Sequence, residues 1–275
     1  MIELSYFNDE LGTEDVREQI RLGIEAGATA LEIRSRMFGH DVNTMTDDEV
    51  ATLKGYLKEF GARVGVIGSG VGKVSLDVPD EVELNIRRFK RMTELAHMFD
   101  TDVIRVFAFW NTYWKFEKRL HPDLDSIMPK LHAAFEPIIE HAERENVVLA
   151  FEPEPDTLNS NCEYTRRIID GLSGSDVLRF AWDCNNAART GELPIPDGYT
   201  HIRGLVRHIH VKPDKDKSIR TVANTSVSYR EVFQTLIDDG FDGTASIEHW
   251  GTPELMLDGI RQTRALLDEM GILKR

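Results

Sequence analysis

Val147-Val148-Leu149-Ala150-Phe151-Glu152-Pro153-Glu154-Pro155 is the stretch on which the fold is decided. Val147 to Phe151 is apolar without alternation, which suits a parallel strand covered on both faces. Two prolines then end it, and two carboxylates stand at its end. Upstream, Ser126 to about Glu143 has helical spacing, with Pro137 inside it expected to kink or break the helix. Before that comes a strand at Asp102–Phe107. Downstream, a short helix at Glu163–Asp170 leads into a strand at Val177–Trp182.

The same alternation extends to both ends. Strands are predicted at Ile2–Phe7, Ala30–Arg34, Arg63–Ile67, His208–Lys212 and Thr244–Glu248. Between the early ones, Thr13 is read as the cap of a helix carrying Val16, Ile20 and Ile24. Thr46-Asp47-Asp48-Glu49 opens another as a capping box, and Asp80 to about Met98 forms a third. Later helices are expected at His201–Val206, after Ser228, and from Thr252-Pro253-Glu254. Eight strand–helix rounds imply parallel βαβ units. An open doubly wound sheet fits the alternation too, but eight rounds in 275 residues favour closure into a (β/α)8 TIM barrel, one domain spanning 1–275.

Composition limits the partners. Lys plus Arg is 33 and Asp plus Glu is 47, so the net charge is 33 − 47 = −14. Such a surface is repelled by nucleic-acid phosphates and anionic membranes. The two cysteines give no disulfide framework, and no stretch reads as a signal peptide or membrane span. The expectation is a reduced, cytoplasmic protein with a small-molecule partner, and a homo-oligomer is left open.

Barrel enzymes place their chemistry where strands end. Here consecutive strands end in Glu152, in Trp182-Asp183, in His208-Ile209-His210-Val211-Lys212 and in Ile247-Glu248-His249-Trp250. Carboxylate, carboxylate, imidazole and carboxylate therefore reach one rim. Three clustered acids repel one another without a cation. Oxygen donors with one imidazole suit Mn²⁺, Mg²⁺ or Co²⁺ better than a thiolate-bound zinc. Glu154 competes with Glu152, because both lie on one face of an extended strand.

Leu149-Ala150-Phe151-Glu152-Pro153, Phe180-Ala181-Trp182-Asp183, His208-Ile209-His210-Val211-Lys212 and Ser246-Ile247-Glu248 resemble, in this order, the sugar phosphate isomerase/epimerase superfamily of xylose-isomerase-like barrels. The resemblance spans the whole chain. It implies that Glu152, Asp183, His210 and Glu248 bind one divalent ion, Mn²⁺ first with Mg²⁺, Co²⁺ or Zn²⁺ as alternatives. It favours Glu152 over Glu154 and makes Glu152 and Glu248 the acid/base pair. The implied reaction is isomerisation or epimerisation of a small polyhydroxy carbonyl compound by proton transfer beside a metal-polarised carbonyl. The same scaffold also serves lyases of keto-sugars and keto-inositols, so dehydration or decarboxylation is the alternative. A non-catalytic sugar-binding barrel is a third reading. A metal-dependent endonuclease of this architecture would need more histidines and a basic face.

Lys73, Asn186, Lys212 and Trp114 are the candidate substrate contacts. Lys73 closes the loop Gly68-Ser69-Gly70-Val71-Gly72-Lys73, which lacks the spacing of a nucleotide-binding loop. Trp110 and Trp250 are further candidates for walling a sugar pocket. Arg34 and Arg105 are read as buried salt-bridge partners, His208 as a support for the site, and Cys184 as a bystander. Two positions depart from the ketose 3-epimerase branch: Asn186 stands where that branch has a histidine, and Leu158 where it has a substrate-binding glutamate.

Overall fold

The computed structural model describes residues 1–34, 36–111, 123–172, 174–212, 227–249 and 251–274. Trp114 and Trp250 lie outside these residues. The strands are β1 (Ile2–Tyr6), β2 (Ala30–Ile33), β3 (Arg63–Ile67), β4 (Val103–Val106), β5 (Val148–Phe151), β6 (Leu178–Asp183), β7 (Val206–Val211) and β8 (Gly243–Ile247). The described helices are α1 (Val16–Glu25), α2 (Asp47–Phe60), α3 (Pro79–Met98), α4 (Leu124–Glu145), α5 (Cys162–Gly171), α6 (Cys184–Ala188), α7 (Tyr199–Ile202), α8 (Tyr229–Asp238) and α9 (Pro253–Glu269). The sheet order is β1-β8-β7-β6-β5-β4-β3-β2. This is the (β/α)8 class that the alternation predicts.

Two compact units make up the chain. One comprises Met1–Gly68, Met98–Thr101 and Arg207–Arg275; the other comprises Ser69–His97 and Asp102–Val206. In the first, β1 and β7 both pair in parallel with β8, so that Ser5 and His210 each lie opposite Ser246. Its β2 pairs with β3 through a bulge between Leu31 and Glu32, and Phe7 bridges to Glu32. In the second, Val106 of β4 and Phe180 of β6 both lie opposite Phe151 of β5.

These registers place the site glutamates. Glu152, one residue past β5, donates its N–H to the Val106 carbonyl at 3.0 Å. Glu248, one residue past β8, donates its N–H to the Val211 carbonyl at 3.1 Å. Each carboxylate thus leaves the backbone at the last rung of a ladder, where position is set by the sheet rather than by a loop.

Local signals mostly act as read. The Thr46–Glu49 capping box forms, Ser228 caps α8 and Thr252 caps α9. Three expectations need correction. The cap of α1 is Asp15, whose carboxylate accepts from the N–H groups of Arg17 and Glu18, while the Thr13 hydroxyl accepts from Asp15 N–H. Of the kink or break expected at Pro137 the break does not occur, because α4 runs through both Pro129 and Pro137. An interior proline costs about 3 kcal/mol, and the buried stripe Leu131, Phe135, Ile138, Ile139 and Ala142 offsets it. The helix expected at His201–Val206 is instead α7, because Gly204 takes a φ of +75° and Val206 already belongs to β7.

Candidate functional site

In the second unit, Glu152 and Asp183 are both buried, and their ligand-type oxygens approach within 4.8 Å. Asn186 joins them. Its backbone N–H donates to Asp183 Oδ1 at 2.8 Å, and its side-chain amide donates to Glu152 Oε1 at 3.0 Å. The bond to Asp183 is also the N-cap of α6, so the aspartate starts the short helix that carries its own partner. Arg105 Nη1 stands 3.2 Å from Glu152 Oε2, and Arg105 Nη2 donates to the Ser69 carbonyl at 3.2 Å. From behind, Asn159 donates to the Glu152 carbonyl at 2.7 Å and accepts from Ala108 N–H at 2.8 Å.

Glu154 points elsewhere. Its Oε2 lies 3.7 Å from Lys73 Nζ, which sits over the rings of Phe107 and Trp110 at 4.1 and 5.7 Å. Periodicity puts Glu152 and Glu154 on one face, but their partners differ: a guanidinium and an amide for the first, a lysine for the second. Leu158 is buried, and its N–H donates to the Phe109 carbonyl at 3.0 Å.

In the first unit, His210 and Glu248 are the matching pair, with Nδ1 3.7 Å from Oε2. Glu248 is ringed by cations. Arg34 Nη1 lies 2.9 Å from Oε1 and Lys212 Nζ 3.1 Å from Oε2. The backbone of Lys212 is gripped by Tyr229, whose hydroxyl accepts from its N–H at 2.7 Å and donates to its carbonyl at 3.0 Å. Arg34 also binds Asp9 at 2.9 Å and Glu10 at 2.8 Å, and stacks over Phe7 at 4.1 Å. Burial opposes the Arg34 charge, but the carboxylates of Glu248, Asp9 and Glu10 outweigh it and raise its pKa. Arg34 and Arg105 are therefore buried ion-pair partners, as the sequence suggests, and each pairs with a strand-end glutamate.

Two acids here escaped the sequence reading. Glu32, in the middle of β2, is fully buried and accepts from His208 Nε2 at 2.8 Å. His208 Nδ1 faces the Thr244 carbonyl at 2.8 Å, so that nitrogen must carry a proton. Burial alone would drive both groups toward neutrality. A contact of 2.8 Å requires a proton between them; burial opposes the charge on Glu32, but the imidazoles beside it hold its carboxyl well below the usual range, while burial lowers the pKa of His208. His208 is thus held between the Thr244 carbonyl and Glu32. The available signal was a charged residue inside the apolar strand Ala30-Leu31-Glu32-Ile33.

Glu10 gave no signal, since it falls between the strand expected at Ile2–Phe7 and the helix expected from Thr13. It accepts from Arg34 and from His249 N–H. Burial pushes its carboxyl up to about 7, with Glu248 adding to the effect and Arg34 and the His249 N–H opposing it. This folded-state value lies above the ordinary 4.5, so the group's stabilising share is complete below about pH 4.5 and is lost as pH rises through about 7. At about 1.4 kcal/mol per unit, the stability difference between wild type and Glu10→Gln should fall by on the order of 3 kcal/mol across that window. Urea unfolding of both proteins with a chelator present measures it. A difference that stays flat with pH refutes this reading of Glu10, whose charged neighbours are Arg34, Asp9 and Glu248.

Each residue expected to bind the ion is of a type that suits a hard divalent cation. Glu152, Asp183, His210 and Glu248 offer oxygens and one imidazole and are all buried. Neither Cys162 nor Cys184 suits a ligand role, because burial pushes both thiols well above their ordinary value. Acidic and imidazole groups able to hold a metal thus occur in this chain.

Strand–helix alternation, sheet order and acids at the strand ends define the class as a TIM barrel with its polar groups on the rim. Residues 20–270 match the model of the xylose isomerase-like TIM barrel family, and the chain belongs to that family. Comparison with curated proteins finds no match. Among solved structures, a 3-keto-D-glucoside 4-epimerase from E. coli is similar, at 18% identity and a TM-score of 0.75, over 96% of this chain and 100% of the other. A xylose isomerase-like TIM barrel protein from Mycobacterium smegmatis, in complex with magnesium, gives 16% identity and a TM-score of 0.73, over 98% and 96%. The probable 3-DHS dehydratase of petrobactin synthesis from Bacillus anthracis gives 18% and 0.73, over 94% and 98%. At these identities the likeness speaks for the fold. Among the described residues, no helix is long and apolar enough to cross a membrane.

Proposed function

We propose that the protein is a divalent-metal-dependent isomerase or epimerase of a small sugar or sugar derivative. Glu152, Asp183, His210 and Glu248 hold the ion, with Mn²⁺ as the expected metal. The observation that carries this reading is the matched treatment of the two glutamates. Each leaves the last rung of its strand, is buried, faces another ligand-type group, and is braced by a guanidinium.

When bound, the ion supplies Lewis acidity that lowers the cost of negative charge on a carbonyl oxygen. Glu152 and Glu248 are the proton carriers, one taking a proton from carbon and the other returning it. Asn186 orients Glu152 through Oε1, and Arg34 orients Glu248 through Oε1. Lys73, Asn186, Lys212 and Trp114 contact the substrate's oxygens and C–H faces.

A lyase acting on a keto-sugar or keto-inositol is the second reading. It is favoured by Asn186, which stands where a ketose 3-epimerase has histidine, and by the likeness to a dehydratase. Both reactions start with loss of a proton beside a carbonyl, so the site residues are shared. Ketoses, sugar acids and inososes incubated with the protein and Mn²⁺ in D₂O separate the two. Deuterium incorporation without loss of mass supports the isomerase or epimerase, and loss of water or CO₂ supports the lyase. Metal binding without exchange or turnover of any of these compounds would leave a sugar-binding barrel.

A further inference from the structure

Glu32 lies outside the proposed ligand set, yet it stands against one member of it. Its Oε2 accepts from His208 Nε2 at 2.8 Å and stands 3.3 Å from His210 Nε2. The two imidazoles pack edge to face, with centroids 4.9 Å apart, and Phe7 packs edge to face on His210 at 5.2 Å. The other nitrogen of His210, Nδ1, is the one turned toward Glu248. All of these groups are buried, so an anion beside Nε2 decides where the ring proton resides.

We propose that Glu32 is the positioning residue of the metal centre, fixing the His210 ring so that Nε2 carries the proton and Nδ1 presents its lone pair to the ion. His208 completes the device. Tethered to the Thr244 carbonyl, it donates to the Glu32 oxygen and holds that carboxylate in place. A metal-bound histidine is commonly oriented by a carboxylate on its second nitrogen, and loss of that partner weakens metal binding about 10- to 100-fold. Glu32, His208 and His210 also offer ligand-type atoms within 4.8 Å of one another. The Thr244 carbonyl and the short His208–Glu32 contact fit a hydrogen-bonded relay rather than a second ion.

The proposal rests on the metal reading of His210, and its test separates the two. In ¹⁵N-histidine-labelled protein without metal, long-range ¹H–¹⁵N spectra should show His210 protonated on Nε2 and bare on Nδ1, with His210→Gln assigning the signals. The opposite tautomer overturns the role of Glu32, whatever the protein binds. Calorimetric titration with Mn²⁺ should give one ion per chain for the wild type. The dissociation constant should rise by about 10-fold in Glu32→Gln, which keeps an acceptor without charge, and by up to about 100-fold in Glu32→Leu, which removes the acceptor. Unchanged affinity in a folded Glu32→Gln protein overturns the inference and leaves the metal reading standing. Two ions in the wild type, one of them lost in Glu32→Gln, overturn it by making the trio a metal site. A wild type that binds no ion sinks the metal reading, and with it this role. Should Glu32→Leu fail to fold, the wild-type ring spectra and Glu32→Gln still decide.

Discussion

Glutamine at either Glu152 or Glu248 is expected to lower the rate of carbon-bound proton exchange by about 10²- to 10⁴-fold, the usual worth of one general acid or base. The amide has the size of the carboxylate, so the fold should persist. At Glu152, the Asn186 amide still finds an oxygen to donate to, and Arg105 keeps its bond to the Ser69 carbonyl. At Glu248, the loss is steeper electrostatically. Arg34 and Lys212 both lose their common carboxylate, and Arg34 is left with Asp9 and Glu10. The Lys212 backbone keeps the grip of Tyr229. Deuterium uptake into substrate, followed by mass spectrometry for each variant, is the direct measurement. Full exchange in both variants would remove these carboxylates from the mechanism.

Gly72→Ala should be the most damaging single-methyl change in the loop after β3. Gly72 takes a φ of +90°, and a Cβ built on it would lie 1.8 Å from the Phe107 carbonyl oxygen. That oxygen is backbone, so it cannot swing aside. Neighbouring hydrogen bonds fix both sides of the contact: Phe107 N–H donates to the Val71 carbonyl at 2.9 Å, and Gly72 N–H donates to Asn85 Oδ1 at 2.7 Å. Left-handed strain and overpacking each cost about 1–3 kcal/mol, so a loss on the order of 3 kcal/mol or more is expected. Gly70→Ala is the control, because its Cβ meets nothing within 4 Å. Chemical denaturation of both variants tests the contrast, and equal stability would show that the loop yields. Lys73, the next residue, should lose its place over Phe107 in the first variant.

Much of this molecule was legible in its sequence because the barrel repeats a simple physical rule. Val147–Phe151 had to be a strand covered on both faces, and what followed it had to be rim. Asp183, His210 and Glu248 were placed at strand ends by the same logic. Glu32 was not, because it stands within a strand whose residues are all buried, and period two does not say which neighbour satisfies an interior acid. Glu10 was hidden for the opposite reason: it falls between predicted elements, and its burial shows only once Arg34 and His249 N–H are seen to close over it. Pro137 brings no break because the penalty of a proline is local, whereas the burial that offsets it is tertiary.

The pairing of β1 with β8 also has a bearing on how the chain is made. Ile2 lies opposite Gly243, and Glu10 and Arg34 meet Glu248 and His249. During synthesis, β1 must therefore wait for nearly the whole chain before its partner strand emerges, while β4, β5 and β6 can pair soon after they are made. The pair Glu152 and Asp183 can thus be in place on the ribosome before His210 and Glu248 have been translated. Ribosome-bound chains halted before β7 should already protect β4–β6 from proteolysis, with the first strand still open to attack.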